Sequence, residues 1–298
     1  MLRRAVRAAL RRTRAWLAEP DVPPPLPDPR LYTVEEHSYR WLNAACLHLM
    51  REAAQLNKPV YPVYAWGTLQ AAGEARSLGL PRISVTEFGV ASGRGLLGLE
   101  WIAARVQEMT GVKVDAFGFD TGTGLTEPID HRDVPNMLWP GRFPMDIDRL
   151  RSRLTTAMLV LGPIGETLSG FCAARPAPVG FVSVDVDLYS STVDVLRLFN
   201  ADSALLLPRV YTYFDDIMGH TFSDCNGELL AMKEFNEAHP KRPVCKIHGL
   251  RYFVHEAMRD DKWVESLYIA HILDHQHYAR RSSNPSPEAD QRLVGLDD

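Results

Sequence analysis

A doubly wound α/β architecture, with helices on both faces of a mostly parallel sheet, is the fold class this sequence predicts, and three features point to it. Ile83-Ser-Val-Thr-Glu-Phe-Gly-Val90 reads as a buried strand, and Ala91-Ser-Gly-Arg-Gly-Leu-Leu-Gly98 as the glycine turn that opens a helix reaching about Met109. A second apolar run, Phe181-Val-Ser-Val-Asp-Val-Asp187, ends in Asp185 and Asp187 and gives way to a helical segment over about Thr192 to Asp202. A third, Val210-Tyr-Thr-Tyr-Phe-Asp-Asp216, ends in two further acids. Strands that alternate with helices lie parallel in one sheet, and ligands then bind at its carboxyl edge. Four carboxylates are expected to meet there.

The bulk composition narrows the partners. With 298 residues, 46% of them hydrophobic, the chain can bury a substantial core. A formal net charge of -4 argues against nucleic acid, whose binding needs a basic surface for counterion release, so a small-molecule partner is expected. Cys46, Cys172, Cys225 and Cys245 show no C-x-x-C spacing, so neither a zinc ribbon nor a disulfide framework is indicated, which suits a reducing cytoplasm. No stretch has the uncharged apolar length of a membrane span.

Residues 1–17 carry Arg3, Arg4, Arg7, Arg11, Arg12 and Arg14 between Leu2, Val6, Leu10, Trp16 and Leu17. A helix there would be basic and amphipathic, suited to peripheral contact with an anionic membrane; a frayed terminus or an oligomer contact is the alternative. The arginines interrupt any signal-peptide core. Pro20 to Pro29 is an extended spacer, closing a first segment at residues 1–29. Apolar residues at helical spacing, Tyr39, Leu42, Ala45, Cys46, Leu49 and Ala53, predict a helix from Thr33 to near Asn57, and Trp66 to Leu78 predicts a second. This helical preface, residues 30–80, could cover the sheet, form a homo-oligomer contact or wall off a pocket. Residues 81–278 form the main domain, and 279–298, with Ser-Ser-Asn-Pro-Ser-Pro, read as a disordered tail.

The glycine turn admits two readings. Gly93-Arg-Gly-Leu-Leu-Gly98 matches the dinucleotide fingerprint G-x-G-x-x-G through Gly93, Gly95 and Gly98, which implies an NAD-dependent oxidoreductase. The strand, however, already ends in Glu87-Phe-Gly89, so the turn begins too early for that loop. The order Glu87, Gly89, Gly93 instead resembles the first motif of class I S-adenosylmethionine-dependent methyltransferases, with Ala91 where a central glycine is usual. The next strand, Val114 to Asp120, ends in an acid that can take two O–H donors from a ribose. A long connection, Thr121 to Met145, follows as a substrate loop in which His131, Arg132 and Asp133 are contact candidates. Asp146 to Met158 reads as a helix, Leu159 to Gly162 as a third strand and Glu166 to Ala174 as a helix; in the methyltransferase arrangement Ile164, Gly165 and Glu166 would line the adenine.

Asp185 and Asp187, two apart on a strand, would face one side, with Ser190 or Ser191 capping the next helix. Acids gathered from two segments repel one another and invite a cation, and all-oxygen ligands favour magnesium, manganese or calcium over zinc. Helix caps beside a surface acid pair are the plainer alternative.

Asp185-Val-Asp-Leu-Tyr-Ser-Ser-Thr192, Tyr213-Phe-Asp-Asp216, Gly227-Glu-Leu-Leu-Ala-Met-Lys-Glu-Phe235 and Phe119-Asp-Thr-Gly-Thr-Gly-Leu125 together resemble the macrocin O-methyltransferase family over about residues 80 to 255. The resemblance implies a Rossmann-like class I methyltransferase domain with a seven-stranded sheet behind an N-terminal helical extension. It implies Asp185, Asp215 and Asp216 as ligands of Mg2+ or Mn2+, Asp187 as the base beside the acceptor, and Glu87, Gly89, Gly93, Asp120 and Glu166 around S-adenosylmethionine. The acceptor would be a hydroxyl of a sugar or other polyhydroxylated molecule. A non-catalytic scaffold is the remaining alternative.

Gly227 to Ala238 is an amphipathic helix whose Glu228 could reach the cleft, with Glu234 facing water. Lys246-Ile-His248 and Leu250-Arg-Tyr-Phe-Val254 read as closing antiparallel strands. His271, His275 and His277 lack a third ligand nearby and read as a surface cluster rather than a zinc site.

Overall fold

Helix α1 spans Glu35–Gln55 and α2 spans Pro62–Leu78. The computed structural model describes residues 35–219 and 221–279, so the basic segment 1–17, the proline spacer and the tail from residue 280 lie outside the described residues. Helix α2 starts a turn earlier than its apolar pattern suggests. Pro62 occupies the first turn, where a missing N–H costs nothing, and Gly79 at φ 75 closes the helix in the left-handed conformation. Residues 63–75 of α2 are all buried, so this helix lies inside the protein rather than on it. Glycine makes its close seat possible: a Cβ on Gly67 would stand 2.2 Å from the Phe181 ring.

Seven strands follow: β1 (Arg82–Phe88), β2 (Lys113–Asp120), β3 (Met158–Leu161), β4 (Val179–Val184), β5 (Leu206–Phe214), β6 (Val244–Lys246) and β7 (Leu267–His271). Their spatial order is β3-β2-β1-β4-β5-β7-β6. β1 to β5 pair in parallel, while β7 runs antiparallel to both β5 and β6. This is a doubly wound, Rossmann-like sheet, and its strand order reverses between β1 and β4, which opens a crevice at their carboxyl ends. The remaining helices are α3 (Arg94–Thr110), α4 (Ile147–Arg153), α5 (Ile164–Ala173), α6 (Tyr189–Leu196) and α7 (Gly227–Ala238). One core layer holds α1, α2 and α3 against the sheet, with Trp66, Leu99 and Phe181 fully buried; the other holds α5, α6 and α7 around Phe119, Phe199 and Phe214.

Several boundaries differ from the expectation. The last strand is Leu267–His271, whereas Leu250–Tyr252 forms a 3-10 turn after Gly249 at φ 71. Leu250 and Val254 are buried and Tyr252 between them is 82% exposed, a four-residue spacing that packs a turn against α1 and α2 and cannot serve an alternating strand. Helix α4 stops at Arg153, so Met158 begins β3 rather than ending a helix. Helix α6 begins at Tyr189 with no side-chain cap, so neither Ser190 nor Ser191 caps it.

Candidate active site

The sheet register aligns the site. Gly118, Glu87, Ser183 and Tyr213 pair across β2, β1, β4 and β5, and in-register residues of parallel strands point to the same face, here the one beneath α2. Glu87 is 3% exposed; its Oε1 accepts the Tyr64 hydroxyl at 2.7 Å, and that hydroxyl accepts Ser183 Oγ at 2.9 Å. Burial pushes the Glu87 carboxyl up to about 8, against the Tyr64 hydrogen bond. Glu87 Oε2 has no partner within the protein.

The chain leaves β1 through Gly89, at φ 87, where a Cβ would lie 1.7 Å from the Asp185 carbonyl oxygen. Asp120, at the end of β2, accepts Val90 N at 2.8 Å and Ala91 N at 2.9 Å on Oδ2, and Gly122 N at 2.6 Å on Oδ1. Its carboxylate therefore shapes the glycine turn and keeps about one of roughly four lone-pair positions for a ligand. Gly93 caps α3 at φ 81 beside Leu150 and does not border the cavity; Gly98 abuts the Pro59 carbonyl. Of the dinucleotide-fingerprint glycines, Gly95 alone lines the cavity.

The acid centre follows from the β4–β5 pairing. Val184 lies opposite Phe214, Asp185 N donates to Phe88 O and Asp215 N donates to Val184 O, which sets Asp185 beside Asp215 at the strand ends. Oxygens of Asp185, Asp215 and Asp216 lie within 4.8 Å of one another. Burial and the facing acids push Asp185 up to about 9 and Asp216 up to about 7. Glu228, from the first turn of α7, is fully buried; its Oε2 accepts Asp216 N at 3.2 Å, and Oε1 and Asp216 Oδ2 lack partners. Burial, then Asp216, holds Glu228 well above the usual carboxylate range. Tyr213 donates its hydroxyl to Asp215. Mutually repelling oxygen donors, Asp216 Oδ2 among them without a partner, fit a hard divalent ion such as magnesium or manganese.

Asp187 is not on the strand, as its spacing from Asp185 suggested. β4 ends at Val184, and Asp187, at φ 58, stands at the apex of a tight turn closed by Leu188 N to Val186 O at 2.6 Å. A left-handed non-glycine residue costs about 1–2 kcal/mol and is held only by its surroundings. Burial raises the Asp187 carboxyl, and the nearby Arg142 guanidinium opposes that rise.

Glu87, Gly89, Asp120, Asp185, Asp187, Asp215 and Asp216 border one cavity of about 600 Å³ that also takes in Tyr61, Arg94, Ile164 and residues of the long connection, Leu125, Ile129, Arg142 and Phe143. Arg142 stacks over the Trp139 and Phe143 rings at 4.8 and 4.6 Å. Glu166 is exposed on α5 and does not line the cavity; Ile164 does. His131, Arg132 and Asp133 serve the fold instead. Asp133 is 1% exposed and accepts Ile129 N and Ser190 N at 2.8 Å each, Arg132 pairs with Asp130 and stacks over Tyr189, and His131 faces water. His271 bonds the Tyr278 hydroxyl at 2.8 Å. Sequence reasoning missed Tyr61, Tyr64, Ser183 and Arg142. The signal for Ser183 was a polar residue at a core position of an apolar strand.

No helix among the described residues is long and apolar enough to cross a membrane. No protein-family model matches the chain, and no curated protein does. Among solved structures, the chain is similar to the calicheamicin methyltransferase CalS11 at 20% identity and a TM-score of 0.47, covering 89% of this chain and 91% of that one. It is similar to the O-methyltransferase NovP at 13% and 0.48, covering 70% and 79%. The apo form of CalS11, described as a TDP-rhamnose 3'-O-methyltransferase, gives 19% and 0.39, covering 89% and 93%.

Proposed function

We propose that this protein is an S-adenosylmethionine-dependent, divalent-metal-assisted O-methyltransferase acting on a hydroxyl of a sugar or other polyhydroxylated small molecule. One observation carries the reading: the Asp185, Asp215 and Asp216 oxygens converge in the same cavity as the Glu87–Gly89 turn and Asp120. The sugar preference rests on the resemblance of the sequence motifs to the macrocin O-methyltransferase family.

In this scheme Glu87, Gly89 and Asp120 seat the donor, with Ile164 against its base. A divalent ion held by Asp185, Asp215 and Asp216 would acidify a neighbouring hydroxyl and fix adjacent acceptor oxygens. Asp187 takes the acceptor proton; a carboxyl raised by burial is the stronger base for that task near neutral pH. The acceptor oxygen's electron pair forms the O–CH3 bond as the S–CH3 bond breaks, and the departing pair returns to sulfur, leaving S-adenosylhomocysteine. Tyr61, Arg142 and Phe143 border the cavity where the acceptor would lie.

Calorimetry with S-adenosylhomocysteine and NAD tests the reading, and tight NAD binding with no response to the homocysteine compound would overturn it. Methyl transfer to glycosides should need Mg2+ or Mn2+ and stop with a chelator. Asp187→Ala should lose about 10²–10⁴-fold in turnover and keep its S-adenosylhomocysteine affinity; unchanged turnover would favour a scaffold.

A further inference from the structure

The preface helix α2 meets Glu87 through the Tyr64 side chain. Tyr64 is 2% exposed, its ring packs edge-on against Phe181 at 5.8 Å and Tyr61 at 5.3 Å, and α2 approaches that same Phe181 ring closely at Gly67. Its hydroxyl is saturated, taking a hydrogen from Ser183 Oγ and giving its own to Glu87 Oε1. On the other side of the same carboxyl stands Gly95, whose Cβ, if present, would lie 1.7 Å from Oε1. The Glu87 carboxyl is thus wedged between a phenol and a bare backbone. Its second oxygen is left unpartnered at 3% residue exposure, in a residue that borders the cavity.

A buried carboxylate oxygen without a donor is costly, and a cationic N–H donor relieves it most. Among the charged residues lining the cavity, acids outnumber arginines eight to two, so the cavity favours a cationic group. We propose that Tyr64 is a positioning residue of the donor site, holding the Glu87 carboxyl by Oε1 so that Oε2 receives the ammonium of the donor's amino-acid end. The helical preface is then part of the cofactor site. This rests on the methyl-donor reading above.

Two ligands separate positioning from general support: S-adenosylhomocysteine, which carries the amino-acid end, and 5'-methylthioadenosine, which lacks it. For Tyr64→Phe, calorimetry should show S-adenosylhomocysteine weakened about tenfold or more and methylthioadenosine unchanged within about twofold, the loss of one hydrogen bond to a charged group. Glu87→Gln, which keeps the carboxyl's shape, should show the same selectivity, and Ser183→Ala a smaller shift in the same direction. Equal weakening of both ligands, or of neither, in Tyr64→Phe and Glu87→Gln would overturn the assignment. A wild-type protein that binds neither ligand would overturn the methyl-donor reading and this assignment with it. Wild-type binding of both, with no selective loss in the variants, would overturn this assignment alone.

Discussion

Glu228 shows how one buried side chain can govern a centre it does not belong to. It accepts the Asp216 N–H while its other oxygen faces no partner, so its carboxyl fixes the backbone at the point where β5 turns into the site. Glu228→Ala would orphan that N–H, and outer partners of a metal centre are worth about 10–100-fold in metal affinity. Glu228→Gln keeps an acceptor and should cost less; manganese titration of both variants checks the ordering, and equal effects would contradict it. Gly89 is constrained twice, by φ 87 and by the Asp185 carbonyl 1.7 Å from a would-be Cβ. Gly89→Ala should therefore destabilise the fold, by about 1–2 kcal/mol from the backbone conformation alone and more from the clash, read as a lower midpoint in urea unfolding. Glu228 was legible in the sequence as an acid opening a helix, but nothing local told cleft from solvent, because that depends on how α7 lies against β5.

At the scale of elements, the four parallel strands that lead into Gly89, Asp120, Asp185 and Asp215 were readable because each is an apolar run closed by a glycine or an acid. β7 was not readable. Leu250-Arg-Tyr-Phe-Val254 is as apolar as Leu267-Tyr-Ile-Ala-His271, and the choice between them is made by burial against α1 and α2 and by pairing with β5, both of them long-range. The Tyr64–Glu87–Ser183 chain was hidden for a similar reason: it joins a helix and two strands through a register that no single segment specifies. The long connection was legible as a loop beside the site, but residues 131–133, the contact candidates, do not border the cavity, whereas Arg142 and Phe143 do. There Leu125 N bonds Arg142 O at 2.8 Å and Gly141 N bonds Leu125 O at 2.9 Å, which pins the loop beside the cavity. Arg142→Ala removes a cation that opposes the rise of Asp187 and unstacks Trp139 and Phe143. Acceptor KM should rise while S-adenosylhomocysteine affinity holds; a loss of donor affinity instead would mean that the loop serves the other half of the cavity.

For the whole molecule, the buried acids set a pH dependence. Glu87 is pushed up to about 8 and Asp185 to about 9, each chiefly by burial, and Asp216 and Glu74 to about 7, with Arg209 opposing the rise at Glu74. An acid whose folded pKa exceeds its unfolded value of about 4 binds more protons folded than unfolded between those limits. Stability from these four groups is therefore complete below about pH 4, is lost progressively as pH climbs above it, and the loss levels off once pH has passed about 7 to 9. The ion-free protein should show a Tm that falls across that window. Protons on Asp185 and Asp216 are what a divalent ion would displace, so added Mg2+ or Mn2+ should raise Tm strongly near pH 8.5 and little near pH 5. Asp185→Asn, neutral at every pH, should flatten part of the slope and remove most of the response to the ion, whereas Glu74→Gln should flatten the slope and leave that response intact. A stabilisation by the ion that is equal at both pH values, or one that survives Asp185→Asn, would show that the cation binds elsewhere and that repulsion among these carboxylates is not what a metal relieves.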